Sequence, residues 1–307
     1  MTNWTRRSAA SAILALGLTG AGREETPMQA PEDIQSSRLQ RGRLTVPVRV
    51  NGQGPFGFVI DSAANASVID VVLAERLGLP PAGQIAMHTL IARELVETVR
   101  ADHVETGALE AASVQLALAT GLGLDGAAGL IGTDLLRGLR LDLRFRGASR
   151  ARITRSRPTG GGFFDMKPGR ARLLPALQQR FGGQLMIAAA VRGVEMLAIL
   201  DTGAQVSIAN GALAAATGAT PIALQGGREA AVLSPTGRRA AAAPMLLSHL
   251  RFGGATIREA PLLVGNFHTF DLWGVSDRPA MLMGVDLLGV FRRVVIDLGG
   301  GTVLFEV

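Results

Sequence analysis

Phe58-Val59-Ile60-Asp61-Ser62-Ala63-Ala64-Asn65-Ala66-Ser67-Val68-Ile69-Asp70 and Ala198-Ile199-Leu200-Asp201-Thr202-Gly203-Ala204-Gln205-Val206-Ser207-Ile208-Ala209-Asn210 are one phrase written twice. Both read apolar-apolar-Asp, then Ser or Thr, a small residue, Ala, two variable positions, Ser, an apolar residue, a variable position, and Asp or Asn. An apolar run that stops at an aspartate followed by small residues reads as a strand entering a tight loop. Two copies in one chain predict two related halves, each bringing one carboxylate to a common axis.

The repeat extends outward from the aspartates. Upstream of Asp61, residues 44–50 and 56–60 are apolar and alternating, with Asn51-Gly52 between them; residues 185–191 and 195–200 flank Arg192-Gly193 in the same way. Both predict strand, tight turn, strand. Downstream, Asp70 and Asn210 suit helix N-caps, for helices over 71–77 and 211–217 that stop at Gly78 and Gly218. Later come Leu130-Ile131-Gly132-Thr133-Asp134-Leu135-Leu136 and Leu282-Met283-Gly284-Val285-Asp286-Leu287-Leu288, each running into a closing strand. Asp134 and Asp286 follow the glycine at helix starts and read as caps. These repeats set the halves at residues 41–155 and 181–307. The stretch 156–180, with Pro158, Gly160-Gly161-Gly162, Pro168 and Pro175, reads as a linker in which 173–177 pack locally.

The chain of 307 residues is long enough for two domains of ordinary size. Apolar residues make up 48% and charged residues 18%, a globular composition, and the 39 glycines favour strands and turns. The formal charge of +6 comes almost wholly from arginines spread along the chain, with Lys167 the sole lysine. No basic run is interleaved with aromatics, so no nucleic-acid partner is expected. With no cysteine, disulfides and thiolate catalysis are excluded. The glycine runs at 160–162 and 299–301 lack a following Lys-Ser/Thr, which argues against a phosphate loop. His88, His103, His249 and His268 show no metal-ligand spacing, so no metal is expected.

At the N-terminus, Arg6-Arg7, an apolar stretch over 9–18 and small residues over 19–22 predict a signal peptide over residues 1–22. Its apolar stretch is too short for a stable membrane span. Residues 23–40, polar and containing Pro27 and Pro31, predict a flexible leader. The expected location is periplasmic or secreted.

Two carboxylates held about 3 Å apart cannot both ionise, and they share one proton. Such a pair can take a proton from water with one member and donate one with the other. The small residues beside each Asp let the two loops approach, and the hydroxyls of Ser62 and Thr202 can bond across to the opposite loop.

The sequence here resembles the retropepsin-like aspartic proteases, in particular single-chain bacterial members with two fused retroviral-protease-like halves. Asp201-Thr202-Gly203-Ala204 matches the family's Asp-Thr-Gly-Ala motif, and Leu130-Ile131-Gly132 and Leu282-Met283-Gly284 match its apolar-apolar-Gly element. The resemblance covers nearly all of 41–155 and 181–307. It implies an all-β fold of two pseudo-two-fold related retropepsin-like (acid protease) β-barrel domains with short helices. It further implies an endopeptidase acting on extended polypeptide, with Asp61 and Asp201 catalytic. Ser62, Ala63, Thr202, Gly203, Ala204, Gly132 and Gly284 would support the loops, and no cofactor is implied. Hairpins over 84–103, with a tip near Arg93-Glu94, and over 224–243, turning at 234–237, are the expected flaps.

The first motif departs from the family at Ala63, where glycine is expected. The added methyl narrows the cleft and is penalised if the backbone there has positive φ. Three readings follow: a working pair in a monomer, a peptide-binding half-decayed pseudoprotease, or a homodimer pairing two second halves. Trp273, just before the second glycine element, suits the cleft or the core equally. The absence of tyrosine separates the chain from pepsin-type enzymes with a flap tyrosine.

Overall fold

The computed structural model describes residues 39–40, 43–119, 124, 126–145, 150–156, 171–178, 182–223, 230–252 and 255–307. The signal-peptide stretch 1–22 and most of the leader lie outside them. The first half runs β1 (Leu39–Gln40), β2 (Arg43–Val50), β3 (Gln53–Ile60), β4 (Val68–Asp70), α1 (Val71–Arg76), β5 (Pro81–His88), β6 (Arg93–Thr106), β7 (Leu109–Ala119), β8 (Gly129–Ile131), α2 (Thr133–Leu136), β9 (Leu139–Arg144) and β10 (Arg150–Arg155). After β11 (Ala171–Pro175) and β12 (Leu177–Gln178) the second half repeats the order. It comprises β13 (Leu185–Val191), β14 (Val194–Leu200), β15 (Ile208–Ala209), α3 (Gly211–Thr217), β16 (Thr220–Pro221), β17 (Ala230–Leu233), β18 (Arg239–Phe252), β19 (Ala255–Val264), α4 (His268–Leu272), β20 (Ala280–Met283), α5 (Val285–Leu288), β21 (Arg293–Asp297) and β22 (Thr302–Glu306).

Period-two burial builds the sheets. In β2, Val46, Val48 and Val50 are buried while Arg49 is exposed, as a pleated strand with one core face requires. Each half closes a ring of six strands by the same pairings. The first is β2–β3–β8–β4–β7–β6 and back to β2; the second is β13–β14–β20–β15–β19–β18 and back to β13. In both, the strand ending at the motif aspartate pairs in parallel with the strand of the glycine element: Ile60 opposite Ile131, and Leu200 opposite Met283. The fold is therefore all-β with short helices and two repeated halves.

A third sheet, in the order β10–β9–β21–β22–β11, joins the halves. Its centre is the antiparallel pairing of β9 with β21, which sets Leu141 against Ile296 and Leu143 against Val294, all buried. Arg293 of β21 donates to both carboxylate oxygens of Asp142 in β9, at 2.7 and 2.5 Å. One apolar core runs through both halves and this sheet, from Leu44 to Phe305.

Within the stretch read as linker, β11 pairs with β22, with Leu173 opposite Leu304 and Leu174 opposite Val303. Pro175 is tolerated because β11 is an edge strand. At the end of the leader stretch, β1 pairs with β2, Leu39 opposite Leu44.

The helix boundaries follow their caps. Asp70 accepts from the N–H groups of Val72 and Leu73, and α1 is followed by Gly78 at φ 63°. Asn210 accepts from Leu213 N–H, and α3 ends on Gly218 at φ 62°. These glycines occupy left-handed backbone that side chains disfavour.

Candidate active site

Both aspartates leave their strands at the same point and are fixed by the same bonds. Asp61 N–H donates to Ile131 carbonyl at 2.9 Å, and Asp201 N–H to Met283 carbonyl at 3.0 Å. Asp61 Oδ1 accepts from the N–H of Ala63 (2.9 Å) and Ala64 (2.8 Å); Asp201 Oδ1 accepts from Gly203 (2.9 Å) and Ala204 (2.8 Å). Each carboxyl is thus turned by its own loop. Asp61 Oδ2 lies against Gly203 of the opposite half, and the two carboxyls are near enough that each acts on the other's proton.

The hydroxyls beside them clasp the loops together. Ser62 Oγ donates to Leu200 carbonyl and Thr202 Oγ1 to Ile60 carbonyl, both at 2.7 Å. Each hydroxyl also accepts a backbone N–H from its counterpart, Ser62 N to Thr202 Oγ1 at 3.1 Å and Thr202 N to Ser62 Oγ at 3.2 Å. Ser62 and Thr202 are buried, so these four bonds are shielded from water.

The glycine elements support the loops from below. A methyl on Gly132 would lie 2.9 Å from Ala64 carbonyl oxygen, and one on Gly284 2.9 Å from Ala204 carbonyl oxygen. Only glycine allows this approach. Gly132 N–H donates to Ser67 Oγ and Gly284 N–H to Ser207 Oγ, each at 2.9 Å.

Asp134 and Asp286 are not the N-caps read from the sequence. The N-caps of α2 and α5 are Gly132 and Gly284, without side-chain capping bonds. Each aspartate grips the serine of the aspartate loop, and Asp286 also accepts from Leu287 N–H at 2.8 Å. Asp134 accepts from Ser67 N–H (2.9 Å) and Oγ (2.7 Å); Asp286 accepts from Ser207 N–H (2.9 Å) and Oγ (2.6 Å). Burial pushes both carboxyls above the usual range, and the serine bonds oppose it. The signal for this role was present: a serine recurs at the same offset after each motif aspartate.

Ala63 carries less backbone cost than its identity suggests. Neither it nor Gly203 has positive φ, so the methyl meets no left-handed penalty. What matters at this position is space. A methyl on Gly203 would collide with the Asp61 carboxylate. By the two-fold relation, Ala63 stands to Asp201 as Gly203 stands to Asp61, and there the methyl is present.

Desolvation by burial raises both carboxyls. Asp201 is held well above the aspartate range, by burial first and by the negative charge of Asp61 second, against the N–H bonds from Ala204 and Gly203. Asp61 is raised by burial and drawn back by the Ala63 and Ala64 N–H groups and by Arg43. Two carboxyls in contact with unequal proton affinity hold one proton between them.

The two hairpins marked as flaps meet each other. The first turns at 89–92, where Thr89 N–H donates to Ala92 carbonyl and Thr89 Oγ1 accepts from the N–H of Ile91 and Ala92. The expected tip at Arg93-Glu94 is instead the start of β6. Threonine closes this turn with its hydroxyl, a weaker sequence signal than glycine or proline. The second turns at Ser234–Arg238. Glu94 Oε1 accepts from Thr89 Oγ1 (3.3 Å) and from Thr236 Oγ1 (3.1 Å) of the other hairpin. The first tip also docks on α4: Thr269 N–H donates to Leu90 carbonyl, and the stacked rings of His88 and His268 bring Nδ1 and Nε2 to 2.8 Å. Trp273 is buried among Phe267, Phe270, Met186 and Ile199, so it belongs to the core. Among the described residues, no three His, Asp or Glu side chains cluster as a metal site, and no helix is long and apolar enough to cross a membrane.

A duplicated loop that pairs two aspartates, Asp201 buried and Asp61 partly so, across a pseudo-two-fold axis defines the aspartic-protease class of site. The aspartyl protease family model matches the chain at residues 46–135 and again at 187–287, one match in each half. The chain belongs to that family, as a retropepsin-like member with two repeated halves. No curated protein matches it in sequence. Among solved structures it is similar to a retropepsin-like aspartic protease from Rickettsia conorii, at 21% identity and TM-score 0.32, over 46% of this chain and 96% of that one. It is also similar to basic 7S globulin from soybean, at 10% identity and TM-score 0.44, over 89% of this chain and 93% of that one.

Proposed function

We propose that the protein is an aspartic endopeptidase that hydrolyses peptide bonds in extended polypeptides with the Asp61/Asp201 pair of a single chain. One observation carries this reading: the two carboxyls act on each other across the pseudo-two-fold axis, and each is oriented by two equivalent backbone N–H groups of its own loop. The ionised member takes a proton from water, whose oxygen adds to the scissile carbonyl carbon. The protonated member gives its proton to the carbonyl oxygen, forming a neutral tetrahedral diol. Collapse breaks the C–N bond: the proton gained from water passes to the leaving nitrogen, and one diol hydroxyl returns a proton to the carboxylate that had donated, leaving a carboxylic acid, an amine and the pair with its one shared proton. The hairpins over 81–106 and 230–252 would hold substrate as an added strand. No cofactor enters these steps.

A peptide-binding pseudoprotease is the rival reading, and it rested on Ala63. The ordinary backbone at that residue supports the active reading. Both aspartates come from one chain, which supports a working monomer. A peptide-library digest across pH, with wild type beside Asp201→Asn, tests the proposal. Cleavage should follow a bell-shaped pH profile, be blocked by a statine-type mimic of the diol, and be independent of enzyme dilution. Full cleavage by purified Asp201→Asn would overturn it. The pattern over residues 1–22 supports export to the periplasm or the exterior, which N-terminal sequencing of protein from cell fractions would check.

A further inference from the structure

Each half sends one polar side chain across the axis from the start of its first long strand. Arg43 opens β2; its guanidinium donates to Gly203 carbonyl at 3.5 Å and to Leu124 carbonyl at 3.1 Å. Gln184, just before β13, donates through Nε2 to Ala63 carbonyl at 2.8 Å. Gly203 and Ala63 are the third residues of the two catalytic motifs. Arg43 and Gln184 therefore make the same reach to equivalent atoms of the opposite loop, and both are buried. The geometry is symmetric and the charge is not: one side receives a cation, the other a neutral amide.

The cation lies close to one carboxyl. Gly203, whose carbonyl Arg43 binds, is packed so tightly on the Asp61 carboxylate that no methyl fits between them. A guanidinium cannot give up its proton at any working pH. In a buried site its field is screened little by salt. The charged groups that act most strongly on the pair are Arg43 from β2 and the two aspartates themselves.

We propose that Arg43 is a positioning residue that breaks the symmetry of the pair, fixing Asp61 as the carboxylate that accepts the proton from water and Asp201 as the acid that donates to the substrate carbonyl. The inference rests on the aspartic-protease reading of the same site and adds the assignment of roles. A positive charge near one of two coupled carboxyls stabilises its ionised form, so the shared proton resides on the other. The unequal lift of the two carboxyls, larger at Asp201, agrees in direction.

The test titrates the carboxyls directly and needs no turnover. Protein labelled with 13C at aspartate carboxyl carbons is followed by NMR, with Asp61→Asn and Asp201→Asn supplying assignments. In the wild type Asp61 should ionise at lower pH than Asp201. Arg43→Gln makes the two sides alike, so the Asp61 midpoint should rise by about one pH unit or more and the gap should shrink. Arg43→Lys should keep most of the gap. Gln184→Arg places a second cation on the Asp201 side and should lower the Asp201 midpoint; it tests the same idea if Arg43→Gln does not fold. In peptide assays the acid limb of the kcat/KM profile should move with the Asp61 midpoint, which a merely structural arginine would not do. Asp201 ionising first in the wild type, or midpoints indifferent to both charge changes, would overturn the proposal. Midpoints that move as stated in a protein that cleaves no peptide would sink the protease reading alone. Peptide cleavage with unmoved midpoints would sink the role of Arg43 alone.

Discussion

The two aspartate loops share the same set of bonds, and two differences between the halves bear on their carboxyls. Their aspartate-to-backbone bonds, hydroxyl clasps, serine–aspartate grips and glycine contacts match to within about 0.1 Å. They differ in the third motif residue, Ala63 against Gly203, and in the side chain reaching each from across the axis, Gln184 against Arg43. The shared bonds set where the carboxyls sit. The differences set how each behaves, because a methyl and a charge act on one carboxyl more than the other. Duplication thus supplies geometry, and the unduplicated residues supply chemical polarity.

The strongest way to break the comparison is to remove each acid in turn. If the halves contribute one working pair, Asp61→Asn and Asp201→Asn should each lower kcat by about 10³-fold or more, since neither half can cycle a proton alone. Peptide turnover at fixed pH measures this. A decayed first half would show itself as Asp61→Asn retaining wild-type turnover.

A smaller effect is expected where the halves differ in packing. Gly203→Ala puts a methyl into the Asp61 carboxylate and should displace it, at a cost of roughly 10²-fold in rate. Wild-type kinetics in that variant would mean the loops are looser than their bonds indicate.

Where the halves are alike, their responses should match. Ser67→Ala removes the hydroxyl that joins Asp134 to the Gly132 N–H and leaves Asp134 the backbone N–H of residue 67, and Ser207→Ala does the same to Asp286 and Gly284. Each should cost about 1–3 kcal/mol of stability, read as a fall in Tm of similar size. A large inequality would show that one loop is held by something the other lacks.

Much of this was legible because it is local or duplicated. The strand-to-aspartate loops, the glycine elements, the caps at Asp70 and Asn210 and the second hairpin turn all carry short-range patterns of two-residue alternation, small side chains or capping oxygens. The grip of Asp134 on Ser67 was misread as a cap, since a helix-start aspartate has a local explanation that masks a tertiary one. The first hairpin tip was misplaced because a threonine closes it. Arg43 and Gln184 were invisible as a pair: they reach atoms 160 and 121 residues away in the chain, and one is charged and the other neutral, so no repeat flagged them.

The hairpins break the two-fold relation as well. The first bonds to α4 through His88 and His268. Their bond needs a neutral ring to accept. The His88 imidazole is held below its usual pKa of about 6.5 by burial first, and by His268 and Arg93 next. A group whose folded pKa is depressed in this way supports docking above about pH 6.5 and loses that support as pH falls through the folded value. Hydrogen-exchange protection over residues 85–96, taken relative to the intrinsic amide rate at each pH, should therefore fall below pH 6, and His88→Ala should abolish that pH dependence. Protection that rises in acid would refute the assignment.

The smallest expected effect concerns the third residue of the first motif. Ala63→Gly makes the two loops identical at their third position. Since Ala63 already has ordinary backbone angles, glycine relieves no strain there. It adds freedom to the unfolded chain instead, and should lower stability by about 0.4–1 kcal/mol. The Asp61 carboxylate, which meets Ala63 through its backbone N–H and packs on Gly203, should keep its place, so turnover should not fall. The paired measurement is the informative one: Tm and kcat for Ala63→Gly beside Gly203→Ala. A mild loss of stability with full activity in the first, against lost activity in the second, would show that the site needs glycine only on the side facing Asp61. Equal damage from both would mean that Ala63 is itself fitted to Asp201, and that the methyl has become part of the first loop's packing.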